Sequence, residues 1–229
     1  MKKVVFLAAV VLSFSMSAQL NGVKERLAEY SISADLFSQN LKDADAEHSF
    51  DLKTTTVNGT DTKVERSHFD PTLTIGSRWV LDDVNGNTPT TKELKTFDKT
   101  HNTKQPSMNG KIKDDSWQVI RDDSTFLVIG FSYDKTSLPT KYKFLGDCSG
   151  LAYYNKKSKG LEKAEFLNTI PLTIKRLHVN HLDMVVHYTW NSAEEAYFIS
   201  NEELNMSIEI LGQIVVVKET NSYTNYIKK

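Results

Sequence analysis

The run Leu177-His178-Val179-Asn180-His181-Leu182-Asp183-Met184-Val185-Val186-His187 holds the densest set of metal-capable side chains in the sequence. On a strand, ligands of one ion sit two residues apart on the same face, so His181 and Asp183 have chelating spacing and His187 follows on their side. His178 would face the other way, and no second cluster supplies the remaining ligands of a closed site. Asn180-His181 also has the composition of a hairpin turn, which would place His181 at a loop tip. The acidic pairs Asp82-Asp83, Asp114-Asp115 and Asp122-Asp123 are sequence neighbours. Neighbours on a strand point apart, so none presents two carboxylates to one substrate, and all three read as solvated turn residues. Ser149 lies in Asp-Cys-Ser-Gly-Leu, where Asp147 occupies the first glycine position of a nucleophile elbow. Cys148 is the one cysteine; beside Asp147 its thiolate is disfavoured, and it reads as a buried spectator. Asn58-Gly59-Thr60 is formally a glycosylation sequon but is explained by a hairpin turn. Nothing here calls for a metal or a cofactor, and no catalytic residue is assigned.

The aromatic residues carry the remaining functional signal. Trp79, Trp117, Phe131, Phe144, Tyr188 and Trp190 are spread over the expected strands, as are Phe126, Tyr133, Tyr197 and Phe198. On the hollow face of a curved sheet the first six would line a site for an acyl chain or another apolar ligand. Packed against each other, the same residues would simply be the core.

The elements that position them follow from the patterning. Lys2-Lys3, the apolar run Val4–Leu12 and the small residues Ser13–Ala18 have the layout of a secretory signal peptide, with a cut ahead of Gln19. The run is shorter than the roughly 20 residues of a membrane span. No cysteine follows the cut to take a lipid anchor, so the expected product is exported, soluble and without a permanent span, in the periplasm or outside the cell. Its 211 residues carry 26 basic and 29 acidic side chains, which gives no electrostatic reason to bind nucleic acid. Leu20, Val23, Leu27 and Tyr30, then Leu36, Phe37 and Leu41, recur at helical steps with a break near Ser31–Ser33. The segment 19–47 is therefore expected to be helical and to cover one face of a sheet.

From Ser49 the period becomes two. Phe50, Leu52 and Thr54 lead to Asn58-Gly59, Thr62–Phe69 returns, and Asp70-Pro71 forces a corner. Trp79–Val84 reads as a strand ending at Asn85-Gly86, and Thr90-x-x-Glu93 is a capping box opening a short helix over 91–102. Strands are expected at Trp117–Ile120, Phe126–Tyr133, Tyr142–Leu145, Gly150–Tyr154, Leu172–Val179, Leu182–Trp190, Ala196–Ser200, Leu204–Leu211 and Gln213–Glu219. Turns are placed at Asn180-His181, Asn191-Ser192, Asn201-Glu202 and Gly212, while Leu161–Asn168 fits helix and strand alike. Short connections demand antiparallel pairing. The fold class is mainly β, a curved antiparallel sheet or half-barrel of about ten strands over residues 48–229, with the N-terminal amphipathic helix.

Asp70-Pro71, Gly76/Trp79, Asn85-Gly86 and Pro89-Thr90 occur in that order in FDPTLTIGSRWVLDDVNGNTPTTKEL, which resembles a segment of exported bacterial proteins of uncharacterised function. With the closing Ser222–Tyr226, residues 48–227 resemble a half-barrel of the periplasmic lipoprotein-carrier (LolA/LppX-like) type. Gly76-Ser77-Arg78-Trp79 is also similar to the Gly-x-Trp start of a lipocalin-like barrel, with one residue too many. The first resemblance implies an antiparallel sheet wrapped around helices with an apolar pocket between them. It implies a non-enzymatic binding or carrier protein for a lipid or another apolar small molecule. The alternatives are an envelope structural module docking a protein partner through the helix or a sheet edge, and a hydrolase assembled only in three dimensions.

Overall fold

The computed structural model describes residues 20–33, 47–102, 110–174 and 177–229; the expected signal segment 1–18 and Leu36, Phe37 and Leu41 lie outside them. A helix, α1, occupies 20–29. The strands are β1 (His48–Asn58), β2 (Asp61–Phe69), β3 (Trp79–Val84), β4 (Gln118–Asp122), β5 (Phe126–Phe131), β6 (Cys148–Asn155), β7 (Gly160–Asn168), β8 (Leu172–Ile174), β9 (Leu177–Asn191), β10 (Ala196–Ile210) and β11 (Gln213–Lys228), with a second helix, α2 (Thr91–His101), after β3. All eleven strands join one antiparallel sheet in the order β3-β2-β1-β11-β10-β9-β7-β6-β5-β4, with β8 also on β9. The sheet is curved and open: β3 and β4 are its edges. Each edge pairing contains a register shift, at Arg66/Ser67 against β3 and at Val119/Arg121 in β4. Short, bulged edges resist pairing with another chain.

Local chemistry explains the turns. Asn85 and Gly86 take φ of 53° and 77°, the left-handed pair that a two-residue hairpin of the primed type requires. The Thr90 hydroxyl accepts from the Glu93 N–H while the Glu93 carboxylate accepts from the Thr90 N–H, closing the capping box that starts α2. The Asn102 side chain then ties the end of α2 to β3, accepting from the Trp79 N–H at 3.0 Å and donating to the Trp79 carbonyl at 2.9 Å. α1 ends in a Schellman motif: Ser31 sits at φ 57°, its N–H bonds to the Ala28 carbonyl, and the Ile32 N–H bonds to the Leu27 carbonyl.

α1 packs on the sheet as its stripe requires. Val23, Leu27 and Ile32 are buried in the main core with Leu127, Ile129 and Phe131 of β5, Ala152 and Tyr154 of β6, Phe166 of β7, and Val179 and Leu182 of β9. Asp122, at the end of β4, pins the helix from outside this core. It accepts from Arg26, from the Tyr30 hydroxyl at 3.0 Å, and from Lys156, whose ammonium also lies 4.2 Å from the Tyr30 ring centroid. Asp122 is thus a structural anchor, not the solvated turn residue its acidic neighbour suggests.

Three sequence expectations are corrected. Asn180-His181 is not a turn, because β9 runs through it with a bulge opposite Ser207/Ile208. Asn201-Glu202 lies inside the continuous β10. Tyr142–Leu145 lies in the 3-10 helix Thr140–Asp147, which begins after Pro139 with the Tyr142 N–H bonded to the Pro139 carbonyl. The ambiguous Leu161–Asn168 is strand β7. Between β7 and β8 the ladder against β9 is interrupted, and the Asn168 side chain fills the gap. It accepts from the Leu182 N–H at 2.6 Å and donates to the Asn180 carbonyl at 3.1 Å.

Candidate functional site

The sheet face that meets α1 is the inner face, and strand alternation decides which side chains line it. Along β9 they are Leu182, Met184, Val186, Tyr188 and Trp190. Their β10 register partners are Met206, Leu204, Glu202, Ile199 and Tyr197, and on β7 Phe166 opposes Met184 while Ala164 opposes Val186. On β11, Val217, Glu219 and Asn221 oppose Met206, Leu204 and Glu202; on β1, Thr56 and Thr54 oppose Glu219 and Asn221. Crossing the inner face from β7 to β1, the lining changes from apolar to polar along a slanting border, with Glu202 already polar on β10 and Val217 still apolar on β11.

The apolar part is only partly covered. Met184, Tyr188, Leu204, Met206 and Val217 pack on the main core and keep accessible surface, as do Trp117, Tyr133, Tyr142 and Phe144. Tyr133 stacks on Phe166 with ring centroids 6.1 Å apart. Burial pushes its phenol up to about 12. The Tyr188 phenol is pushed higher still, first by burial and then by Tyr133 and Glu202.

The polar part is a connected network. The Tyr223 hydroxyl donates to Glu202 at 2.6 Å, the Asn221 amide reaches both Glu202 and Glu219 at 3.4 Å, and the Thr54 hydroxyl donates to Asn221 at 2.8 Å. The inner face is thus an apolar trough with an acidic, hydrogen-bonding margin. Such a surface can hold an apolar chain lengthwise.

Of the residues named from sequence, Trp117, Phe131, Phe144 and Tyr188 come together at the main core, Phe131 fully buried and the others at its border. Trp117 lies 6.2 Å from Phe131 between ring centroids. Trp79 stands elsewhere, among Phe50, Phe69, Phe97 and His101 at the β3–α2 corner. Trp190 is 43% exposed at the end of β9, against Tyr197. Met184, Leu204, Met206, Val217 and Glu202 were not named. The two-residue period from Leu182 to Trp190 could have found the β9 member, but the turn assigned at Asn201-Glu202 hid the β10 row.

His181, Asp183 and His187 do share a face, the outer one, and the bulge at Asn180 brings His178 to that face as well. His187 lies 3.8 Å from Glu203. Among the described residues, no three His, Cys, Asp or Glu side chains are grouped closely enough to hold a metal ion. Cys148 is buried, its thiol donates to the Phe144 carbonyl, and burial followed by the Asp147 charge pushes its pKa up to about 11. A cleft of about 510 Å³ opens where β1, β2 and β11 meet, lined by Phe50, Phe69, Asp70, Tyr226 and Lys229 among others. Its polar groups are engaged with protein: Asp70 with Lys229, Asn225 with Asp51, His68 with Asp82. Among the described residues no helix is long and apolar enough to cross a membrane.

No protein-family model matches the chain, and no curated protein does. Among solved structures, the chain is similar to a LolA superfamily protein from Nitrosomonas europaea, with 10% identity over 82% of this chain and 91% of that one, at a TM-score of 0.36. It is also similar to a DUF1329 family protein from Desulfovibrio piger, with 8% identity over 93% of each chain, at a TM-score of 0.40.

Proposed function

We propose that this is an exported, non-enzymatic binding or carrier protein whose ligand is a lipid or another apolar molecule seated along the inner face of the sheet. The observation that carries this reading is the row of apolar side chains on β9, β10 and β11 that the core does not finish covering, ending at the Glu202–Tyr223–Asn221 network. An apolar ligand seated there would recover about 25 cal/mol for each square ångström of apolar surface it covers. The trough would hold the ligand's chain, and an anionic end group would point away from Glu202 and Glu219. Trp117, Phe144 and Tyr188 would border the chain, while Trp79 and Trp190 would serve the scaffold and the rim. The signal-like N-terminus supports the export part of the reading.

Docking a partner through α1 is the less favoured alternative, because the helix commits Val23 and Leu27 to its own domain. Native mass spectrometry of protein purified from its own cells tests the reading. A co-purifying mass that dissociates as a lipid supports it. A bare chain that also fails to take up fluorescent fatty acids refutes it.

A further inference from the structure

The hairpin joining β10 to β11 breaks two rules at once. Its two central residues, Leu211 and Gly212, take φ of 52° and 77°. Asn or Asp normally fills the first of these positions, because a leucine with its branched side chain is disfavoured in the left-handed region. That leucine is also completely exposed, at 101%, and its neighbours Ile210, Ile214 and Val216 are 46%, 68% and 45% exposed. Ile210 follows Ile208 on the inner face, whereas Ile214, opposite Glu209, and Val216, opposite Ser207, point outward. The apolar groups therefore surround the tip. On its β11 side the tip is free, because β1 pairs with β11 only as far as Asn58 opposite Val217, while on the other side β9 accompanies β10 as far as His178 opposite Glu209. From Ile210 to Val217 there is no charged residue, with Glu209 and Lys218 bounding the run.

We propose that this hairpin tip inserts into the interfacial region of a lipid bilayer. A protein surface laid on one face of this sheet corner would leave either Ile210 or Ile214, which stand on opposite faces, in water. The interfacial layer entered end-on meets Leu211 at the apex, Ile210 on one face and, level with Glu209, Ile214 on the other. The depth is limited by Glu209, which pairs with Ile214 two residues from the apex and belongs at the headgroup level. At about 3.4 Å per residue the insertion is about 7 Å, within the roughly 5–10 Å of interfacial segments. Shallow insertion also keeps the free edge of residues 213–216 near water and headgroups, where its backbone groups find partners. The tip itself is uncharged, so its insertion does not require anionic lipid. The proposal stands whether or not the inner face holds a ligand.

Flotation of the purified protein with phosphatidylcholine vesicles, with and without phosphatidylglycerol, tests it. The protein floats with both, and added salt does not release it. Leu211→Asn lowers the bound fraction on the order of tenfold, because one buried leucine side chain is lost from the contact. Its thermal midpoint is equal or higher, because asparagine suits the left-handed position. Leu211→Trp still floats, and its added fluorescence is quenched by lipids brominated near the headgroups more than by those brominated at the chain ends. The proposal is overturned if the wild type does not float, if only anionic vesicles bind, or if Leu211→Asn floats as well as the wild type. A concentration-dependent dimer that Leu211→Asn abolishes in the absence of lipid would instead make a second copy the occupant.

Discussion

Leu27→Ala is the sharpest test of how α1 relates to the sheet. Leu27 is 2% exposed, sits in the main core, and also carries the carbonyl that closes the Schellman motif with Ile32. Truncation removes about three methylene equivalents, or about 2.4 kcal/mol of transfer free energy. Leu27 shares its core with residues held on α1, β5 and β6, among them Val23, Ile129 and Tyr154, which cannot all collapse into the space, so a cavity cost adds to this. A total of about 3 kcal/mol is expected, within the ~2–5 kcal/mol range of buried leucine truncations. For a chain of this size that lowers the thermal midpoint by about 6–12 °C. Leu27→Met, which keeps the volume, should cost less than about 1.5 kcal/mol. Differential scanning calorimetry and urea titration provide the readouts. A midpoint shift of less than about 2 °C for Leu27→Ala would mean that α1 is a detachable arm, and would reopen docking through that helix.

Other expectations follow from the anchors. Asp122 is held below the usual carboxylate range by Lys156, then Arg26 and Tyr30. A depressed folded pKa means stability present above the unfolded value near 4 and lost as pH falls through the folded one. Urea midpoints should therefore drop from about pH 4 downward, and Asp122→Asn should be less stable at pH 7 with a shallower acid limb; an unchanged limb would contradict the anchoring. Cys148, pushed up to about 11, should react with a thiol reagent at pH 8 roughly a hundredfold more slowly than a free cysteine, and normally once urea unfolds the chain. Equal rates in the two states would place the thiol at the surface. Asn168→Ala orphans the Leu182 N–H and the Asn180 carbonyl and should cost about 1–3 kcal/mol, with faster amide exchange at Leu182 than in the wild type.

How much was legible in the sequence depends on which interactions decide each element. The corner from Trp79 to His101 is set by local chemistry, Asn-Gly at a left-handed turn and Thr90/Glu93 at a helix start, so its bounds could be read almost to the residue. The stop of α1 at Ser31 was visible for the same reason. β9 and β10 were cut in two because Asn180-His181 and Asn201-Glu202 have turn composition. What overrides that composition is non-local: Asn180 is absorbed as a bulge capped from β7 by Asn168, and the inner-face Glu202 is satisfied from β11 by Tyr223. No local signal marks either partner. The 3-10 segment around Tyr142 and Phe144 alternates like a strand, and only its packing against the core distinguishes it. Of the candidate site, the aromatic border could be named from composition and period. The β10 and β11 rows and the polar margin arise from register across strands far apart in sequence.

The central claim, that the inner face takes an apolar ligand, is tested most directly by methyl NMR of ¹³C-methionine-labelled protein titrated with a long-chain fatty acid. Met184 and Met206 stand on neighbouring strands of the apolar trough and report on it without substitution. The account predicts that both methyl signals shift together and saturate, and that a nitroxide at the end of the acyl chain broadens them. If both signals stay unmoved at saturating fatty acid while the chain remains folded, the trough is surface, and the carrier reading is wrong.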